Sequence, residues 1–336
     1  MKVLVTGHKG YIGTHLISLL KAAGHTVTAC DINLFEESQI AEVIKPDLEL
    51  IKDIREISVD DLRGHDCIMH LAGISNDPMG DLNPKITYSV NQDASIRLAR
   101  LSKQAGVKKF LFSSSCSIYG KGINNDLNET APVNPLTAYA TSKIEVEKQL
   151  SEMADENFCP VFLRNSTAYG YSPMLRIDLV VNNLLSCAIA KGDIRIMSDG
   201  EPWRPLIHCK DIARAFIALA DAPVEKIYAK AINIGANVEN YQVKDVADNV
   251  QKLIPQAKIV YTGEVGNDPR DYRVNFDLLY SILPDFKLEY SLQSGMEELY
   301  EKLQEINFSE KDFDGERFIR LKLLRKHLDK ICIENQ

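Results

Sequence analysis

The sequence predicts an α/β fold: a doubly wound parallel sheet with a smaller second lobe interleaved toward the C-terminus. Three observations predict it. Short runs rich in β-branched residues alternate with helical stretches through the first half of the chain. A glycine-rich turn joins the first such run to the first helix. Beyond Gly170 the alternation breaks into shorter, irregular pieces. Strands alternating with helices of this length imply right-handed crossovers and a sheet covered on both faces.

The elements follow in order. Residues 2–6 read as a strand, and residues 11–23 have helical periodicity ending at Gly24, a C-cap. Further strands are expected at 26–31, 48–52 and 66–71, then a long helix over 83–104. A fifth strand is expected at 109–113, a helix over 137–155, and a sixth strand at 160–164. A helix over 179–190 and short strands at 194–197 and 258–261 fit the smaller lobe. Residues 231–234 read as a buried strand returning to the main sheet. The expected division is residues 1–168 with 207–238 in the main domain, and 169–206 with 239–336 in the lobe.

Composition narrows the class. The chain has 336 residues, 45% hydrophobic and 26% charged, close to a soluble globular average. Disordered, collagen-like and membrane-bundle chains are excluded, since no apolar run approaches the ~20 residues a spanning helix needs. The start, Met1 to Gly7, reads as a strand entering a turn rather than a signal peptide, so a cytoplasmic protein is expected. A net charge of −8 repels nucleic acid and anionic lipid, so neither is an expected partner. Any phosphate-bearing ligand must be held by a local device. The seven cysteines, Cys30, Cys67, Cys116, Cys159, Cys187, Cys209 and Cys332, form no C-x-x-C pair and read as buried thiols of a reducing compartment. The histidines show no ligand spacing, and no metal site is expected.

The local device is the turn Gly7-His8-Lys9-Gly10-Tyr11-Ile12-Gly13. A glycine triplet alone is a weak signal, but here a strand precedes it and a helix follows. Gly7 allows the tight turn, Gly10 close backbone approach to a pyrophosphate, and Gly13 close packing of helix on strand. The helix N-terminus offers N–H groups to the anion. Asp31 ends the second strand, 18 residues beyond Gly13. A carboxylate there accepts hydrogen bonds from an adenosine ribose and repels a 2′-phosphate, so the expected cofactor is NAD in a Rossmann-type domain. Asp31 as a simple helix cap is the plainer alternative.

The G-x-x-G-x-x-G spacing, the segment from Ser113 to Gly120, and Tyr139-Ala140-Thr141-Ser142-Lys143 together resemble the extended short-chain dehydrogenase/reductase family, the nucleotide-sugar epimerases, dehydratases and reductases. His70-Leu71-Ala72-Gly73, Asn91, and Arg204-Pro205-Leu206-Ile207-His208 with Asp211 extend the likeness to about residue 277. The resemblance implies cofactor contacts from Gly7, Gly10, Tyr11, Ile12, Gly13, Asp31, Asp53, Ile54, Leu71, Ala72, Gly73, Asn91, Ser113, Tyr139 and Lys143. It also implies a nucleotide-diphosphate-sugar substrate and a homodimer through the helices at 83–104 and 137–155, which should then carry an exposed apolar stripe.

The chemistry is readable from the residues. Tyr139 and Lys143 stand at i and i+4 on a helix, so both side chains reach the same space. A free tyrosine with a pKa near ~10 is a poor base at neutral pH. An adjacent ammonium favours the phenolate and the positive nicotinamide ring would push the same way, making a general base for a sugar hydroxyl. Ser115 would hydrogen-bond the same oxygen. An isolated Y-x-x-x-K is commonly a surface pair; the glycine turn and serine strand upstream argue for chemistry.

Two departures narrow the reaction. The family's dehydratases and decarboxylases usually carry an acidic residue one or two positions after the catalytic Ser/Thr. Here those positions are Cys116 and Ser117, which argues against dehydration and decarboxylation. Cys116 reads as packing. Thr167 stands where asparagine is common in the family, so substrate orientation is expected to differ, and Arg176 replaces part of a Pro-rich stretch. Ser115, Thr167, Arg176, Arg204 and Arg270 are the expected substrate contacts, with Arg273 a further candidate. Arginine suits a diphosphate because its planar fork pairs bidentately with phosphate oxygens. Each arginine alone could equally be a solvated ion pair. The basic run Arg317 to Lys326 reads as a helix packing Phe318, Leu321 and Leu324 on the body.

The expected activity is epimerisation by transient oxidation at a ring carbon, most simply C4. A net 4-dehydrogenase or 4-ketoreductase uses closely similar residues. A non-catalytic NAD-sensing protein is the reading from another class, and retention of both Tyr139 and Lys143 argues against it.

Overall fold

A computed structural model describes residues 1–122, 126–262 and 270–328; Cys332 lies outside them. The main sheet has seven strands: β1 (Lys2–Thr6), β2 (Thr26–Asp31), β3 (Leu48–Ile51), β4 (Cys67–His70), β5 (Lys109–Ser115), β6 (Cys159–Asn165) and β7 (Ala231–Ile234). Their order is β7-β6-β5-β4-β1-β2-β3, every pair parallel. This is the Rossmann arrangement with one added edge strand. β7 is the strand expected at 231–234, and it pairs with β6.

Both faces are covered, which is why the strands read as apolar runs rather than alternating ones. On one face α1 (Gly13–Ala22) buries Leu16, Ile17 and Leu20 with Phe216 and Leu219 from the helix Cys209–Asp221. On the other, Leu98 and Ala99 of Ala94–Gln104 join Val146 and Leu150 of Ala138–Met153 against Phe110, Phe112 and Phe162. The register Thr6↔His70 and Ser115↔Asn165 lines up the carboxyl ends of β1, β4, β5 and β6. Ligands of such sheets bind at that edge.

A separate apolar cluster gathers residues from the later part of the chain. Val181, Leu184 and Leu185 pack with Ile194, Ile196, Val246, Leu299 and Phe318. The strand Asp193–Ile196 pairs in parallel with Lys258–Tyr261. A three-stranded sheet joins Trp203–His208 to Thr167–Tyr169 and Asn240–Gln242.

Three elements differ from expectation. The helix at 83–104 is preceded by a separate one, α2 (Asp77–Leu82), and is itself interrupted by a π-helical stretch, Tyr88–Asp93. The restart has a local cause: Asn83 accepts from the Ile86 N–H at 3.2 Å and Pro84, lacking an N–H, occupies the first turn. The first helix begins at Gly13 rather than residue 11, because Gly10 N–H closes a turn onto Gly7 O at 3.0 Å. β5 runs on to Ser115. For the remaining discussion, α3 is Ala138–Met153 and α4 is Arg320–Lys326. Around α4, Phe318 and Leu324 are buried and Leu321 is half-buried, but Arg320 is turned inward as well. Among the described residues no helix is long and apolar enough to cross a membrane.

Candidate active site

One groove runs along the carboxyl edge of the sheet, from Asp31 at β2 to Tyr272 beyond β5 and β6. At its first end the glycine turn is dictated by crowding. Gly7 has φ +76°, and a Cβ there would lie 2.6 Å from the Ala72 backbone nitrogen. A Cβ on Gly13 would lie 2.2 Å from Gly7 O, so helix and strand approach this closely only with glycine. Gly10 is less crowded, which leaves the room a ligand backbone contact requires. Tyr11 and Ile12 line the groove at the N-terminus of α1, whose first-turn N–H groups have no carbonyl partner within the helix. The Tyr11 hydroxyl points away, donating to Gly170 O at 2.5 Å.

The Asp31 carboxylate lines the groove and accepts from Lys9 N–H at 2.9 Å and Asn33 N–H at 2.8 Å. Asp53 lines it too, paired with Arg55 at 2.8 Å, beside Ile54. Leu71, Ala72 and Gly73 form the wall after β4. Asn91 does not line the groove. Its amide is spent on Ile74, accepting from N–H at 2.7 Å and donating to C=O at 2.9 Å, so it holds the wall from behind. His70 works similarly: burial lowers its pKa to about 3, and the neutral ring bridges Thr6 Oγ1 and Ser95 Oγ at 2.6 and 2.8 Å.

At the middle of the groove, Tyr139 and Lys143 project from α3 toward Ser113 and Ser115 of β5. The Ser115 hydroxyl lies beside Tyr139 and accepts from Ser117 N–H at 3.1 Å. Lys143 Nζ donates to Ser113 O at 2.7 Å and lies 5.5 Å from the Tyr139 ring centroid. The electrostatics of the ligand-free site show what the Lys143 ammonium has to work against. Burial raises the Tyr139 pKa, the nearby Asp77 charge raises it further, and the neighbouring Ser115 hydroxyl opposes them. Burial also brings Lys143 down to about 7, with Glu147 opposing. Without a further positive charge the buried site disfavours both charged forms.

The far end holds Thr167, Arg176, Arg270 and Tyr272. Arg176 is paired with Asp178 at 2.8 Å and reaches Ser75 Oγ at 3.1 Å. Arg270 forms an ion pair with Asp77, a buried carboxylate the sequence analysis passed over. Asp77 also accepts at 2.6 Å from Oγ1 of Thr137, the N-cap of α3 two residues before Tyr139. The Asn76-Asp77-Pro78 helix start, with Asn76 accepting from Met79 N–H at 3.0 Å, was its legible signal. Arg204 lines no part of the groove: it donates to the Trp203 and Arg270 carbonyls at 2.8 and 2.5 Å, and so braces Arg270 from behind. Cys116 is fully buried, donating to Arg164 O at 3.1 Å, and burial raises its pKa. Ser117 Oγ and Asn165 Oδ1 line the groove, are buried, and have no hydrogen-bond partner among the described residues. Such orphaned polar atoms fit a ligand with hydroxyl or amide groups. Among the described residues no cluster of His, Cys, Asp and Glu could hold a metal ion.

A parallel sheet with a glycine turn, an acid at the end of β2 and a Tyr-Lys-Ser set share one groove. The description "NAD dependent epimerase/dehydratase family" matches residues 3–235, and the chain belongs to that family, an enzyme group of extended short-chain dehydrogenase/reductase type with NAD as cofactor. The UDP-glucose 4-epimerase of Erwinia amylovora is 29% identical over 286 residues, covering 75% of this chain and 82% of that protein. UDP-glucuronic acid decarboxylase 2 of Arabidopsis thaliana is 26% identical over 308 residues, covering 88% of this chain and 66% of that protein. The structure of MoeE5 in complex with UDP-glucose and NAD is 25% identical, with a TM-score of 0.79 over 91% of this chain and 100% of that one.

Proposed function

We propose that the protein is an NAD-dependent nucleotide-diphosphate-sugar epimerase acting by transient oxidation at C4. The observation that carries this reading is the set Tyr139, Lys143 and Ser115 with no carboxylate at the two positions after Ser115. The nearest groove carboxylate, Asp77, is engaged by Arg270 and Thr137. Bound NAD supplies the hydride acceptor and donor, and its positive ring favours the Tyr139 phenolate that burial opposes.

Tyr139 then takes the proton of the C4 hydroxyl as that carbon becomes a ketone. Ser115 donates a hydrogen bond to the same oxygen, and Lys143 holds positive charge beside the phenolate. Once the 4-keto sugar has turned so that the other face of C4 would meet the returning hydride, Tyr139 gives the proton back to the C4 oxygen. Arg176 and Arg270 supply cations for the diphosphate, with Arg204 holding Arg270 in place. Thr167, Ser117 and Asn165 offer hydrogen bonds to the sugar. The seven-stranded sheet forms the cofactor domain, and the cluster built on Val181, Leu185, Val246 and Leu299 forms the substrate lobe.

One observation favours a second reading. Asp77 lies beside Tyr139, and a substrate diphosphate competing for Arg270 would release its carboxylate as an extra base, as elimination requires. Incubating the enzyme with UDP-glucose, UDP-glucuronate and UDP-N-acetylglucosamine separates the two. The epimerase yields a C4 epimer of unchanged mass with no accumulating NADH. A product lacking water or carbon dioxide supports the second reading, and steady NADH formation supports a net dehydrogenase.

A further inference from the structure

Among the described residues, one buried cation at the cofactor end of the groove has only neutral hydrogen-bond partners. Arg320, at the start of α4, is 2% exposed and lines the groove with Tyr11, Asp31 and Phe35. Its guanidinium lies 4.6 Å over the Phe35 ring and donates to Ser38 Oγ and, at 3.1 Å, to Met174 O. Among the described residues no carboxylate forms an ion pair with it. The nearby acids are committed elsewhere: Asp31 to the N–H groups of Lys9 and Asn33, and Asp178 to Arg176. Burial and the neighbouring Arg176 lower the Arg320 pKa to about 9. A guanidinium carries five donors in a planar fork, and two hydrogen bonds to neutral oxygens leave its charge uncompensated. An anion in the groove is what that charge calls for.

The segment that delivers Arg320 is fastened across this end. Arg317 donates to the carbonyls of Glu37 and Gln39 at 2.7 and 2.8 Å, and Ser38 Oγ donates back to Arg317 O at 2.7 Å. Lys326 pairs with Glu37 at 3.0 Å, and Leu324 packs with Leu34, Ile74 and Met79. Residues 34–39 follow directly on Asp31, so the strap and the acid belong to one corner.

We propose that Arg320 and the strap carrying it, residues 316–327, form a cofactor clamp in which the guanidinium pairs with the pyrophosphate of NAD. Arginine suits that role because its fork engages two phosphate oxygens at once. The clamp rests on NAD as the cofactor and is independent of which sugar reaction follows.

The test is calorimetric titration of nucleotide-free wild type, R320Q and R320K with NAD, ADP-ribose and UDP. ADP-ribose carries the pyrophosphate without nicotinamide, and UDP stands for the diphosphate of a substrate. R320Q is expected to weaken NAD and ADP-ribose alike by about tenfold or more, the scale of one charge-assisted contact. UDP binding should stay within about twofold, and R320K should recover part of the loss. Unchanged NAD and ADP-ribose affinity overturns the clamp, as does a loss confined to UDP. A purely structural Arg320 would lower the melting temperature of ligand-free R320Q while its NAD affinity stayed that of wild type, which also overturns it. Amide exchange in the wild type reads the strap without a variant: NAD should slow exchange in residues 316–327, and equal exchange with and without NAD rejects the proposal.

Discussion

At the scale of single residues, the buried triad sets two expectations. Removing only the Tyr139 hydroxyl, as Y139F, should cut turnover by roughly 10²–10⁴, the usual contribution of a positioned acid–base group. NAD affinity should change little, which equilibrium titration checks; full turnover by Y139F would remove Tyr139 from the chemistry. Lys143 carries a second prediction through its lowered pKa. With a folded value of about 7 against ~10.4 unfolded, the unfolded chain binds more protons between those limits. Stability of the ligand-free protein should therefore gain from this group as pH rises from about 7 toward 10, and the penalty is fully present below 7. Urea midpoints at pH 7 and pH 9 should show that gain in wild type and lack it in K143M. Asp77 offers the third test at this scale. D77N removes the charge that holds Arg270, so KM for the nucleotide sugar should move more than KM for any added NAD.

At the scale of elements, the site depends on how closely α2 meets α3. Gly80 of α2 would place a Cβ 2.8 Å from the Cβ of Tyr139. The contact is between backbone-proximal atoms, so neither side yields by rotating a side chain. G80A should destabilise by about 1–3 kcal/mol, typical of forced overpacking. It should also lower kcat more than it alters NAD affinity, because α3 carries Tyr139; a drop in melting temperature with kcat intact would contradict this. The start of α2 has a sequence signal in Asn76-Asp77-Pro78, but its separation from the next helix does not, since Asn83-Pro84 reads equally as a start or an interruption. The strands were far more legible. Fully buried parallel strands are apolar along their whole length, so Val3-Leu4-Val5 and Phe110-Leu111-Phe112 announce themselves. Gly7 and Gly13 were legible for the same local reason, a backbone approach no other residue permits. Asn91 and Arg204 were placed in the site by likeness, whereas their side chains brace it from outside through Ile74 and Arg270. Arg320 could not be read at all: in its own segment it is one of several basic residues, and only tertiary packing turns it inward.

At the scale of the whole molecule, one groove is lined from the first residues of the chain to nearly the last described ones. Gly7 and Asp31 come from the start, Tyr139 and Lys143 from the middle, and Arg270, Arg320 and Leu324 from the end. A ligand filling it touches segments that meet only in the native state, so its binding free energy adds directly to folding stability. NAD at 100 times its Kd should contribute about 2.7 kcal/mol, which for a chain of this size raises the melting temperature by a few degrees. The net charge of −8 gives no long-range attraction for a dinucleotide, so the discrimination between cofactors must be local. The discriminating group we propose is Asp31, since a carboxylate there favours a ribose diol and repels a 2′-phosphate. Thermal melts with equal concentrations of NAD and NADP should therefore show the larger shift with NAD. D31N should narrow the difference by removing the repulsion. An NADP shift equal to or above that of NAD in the wild type would mean that Arg320, a cation at the same corner, outweighs Asp31 there.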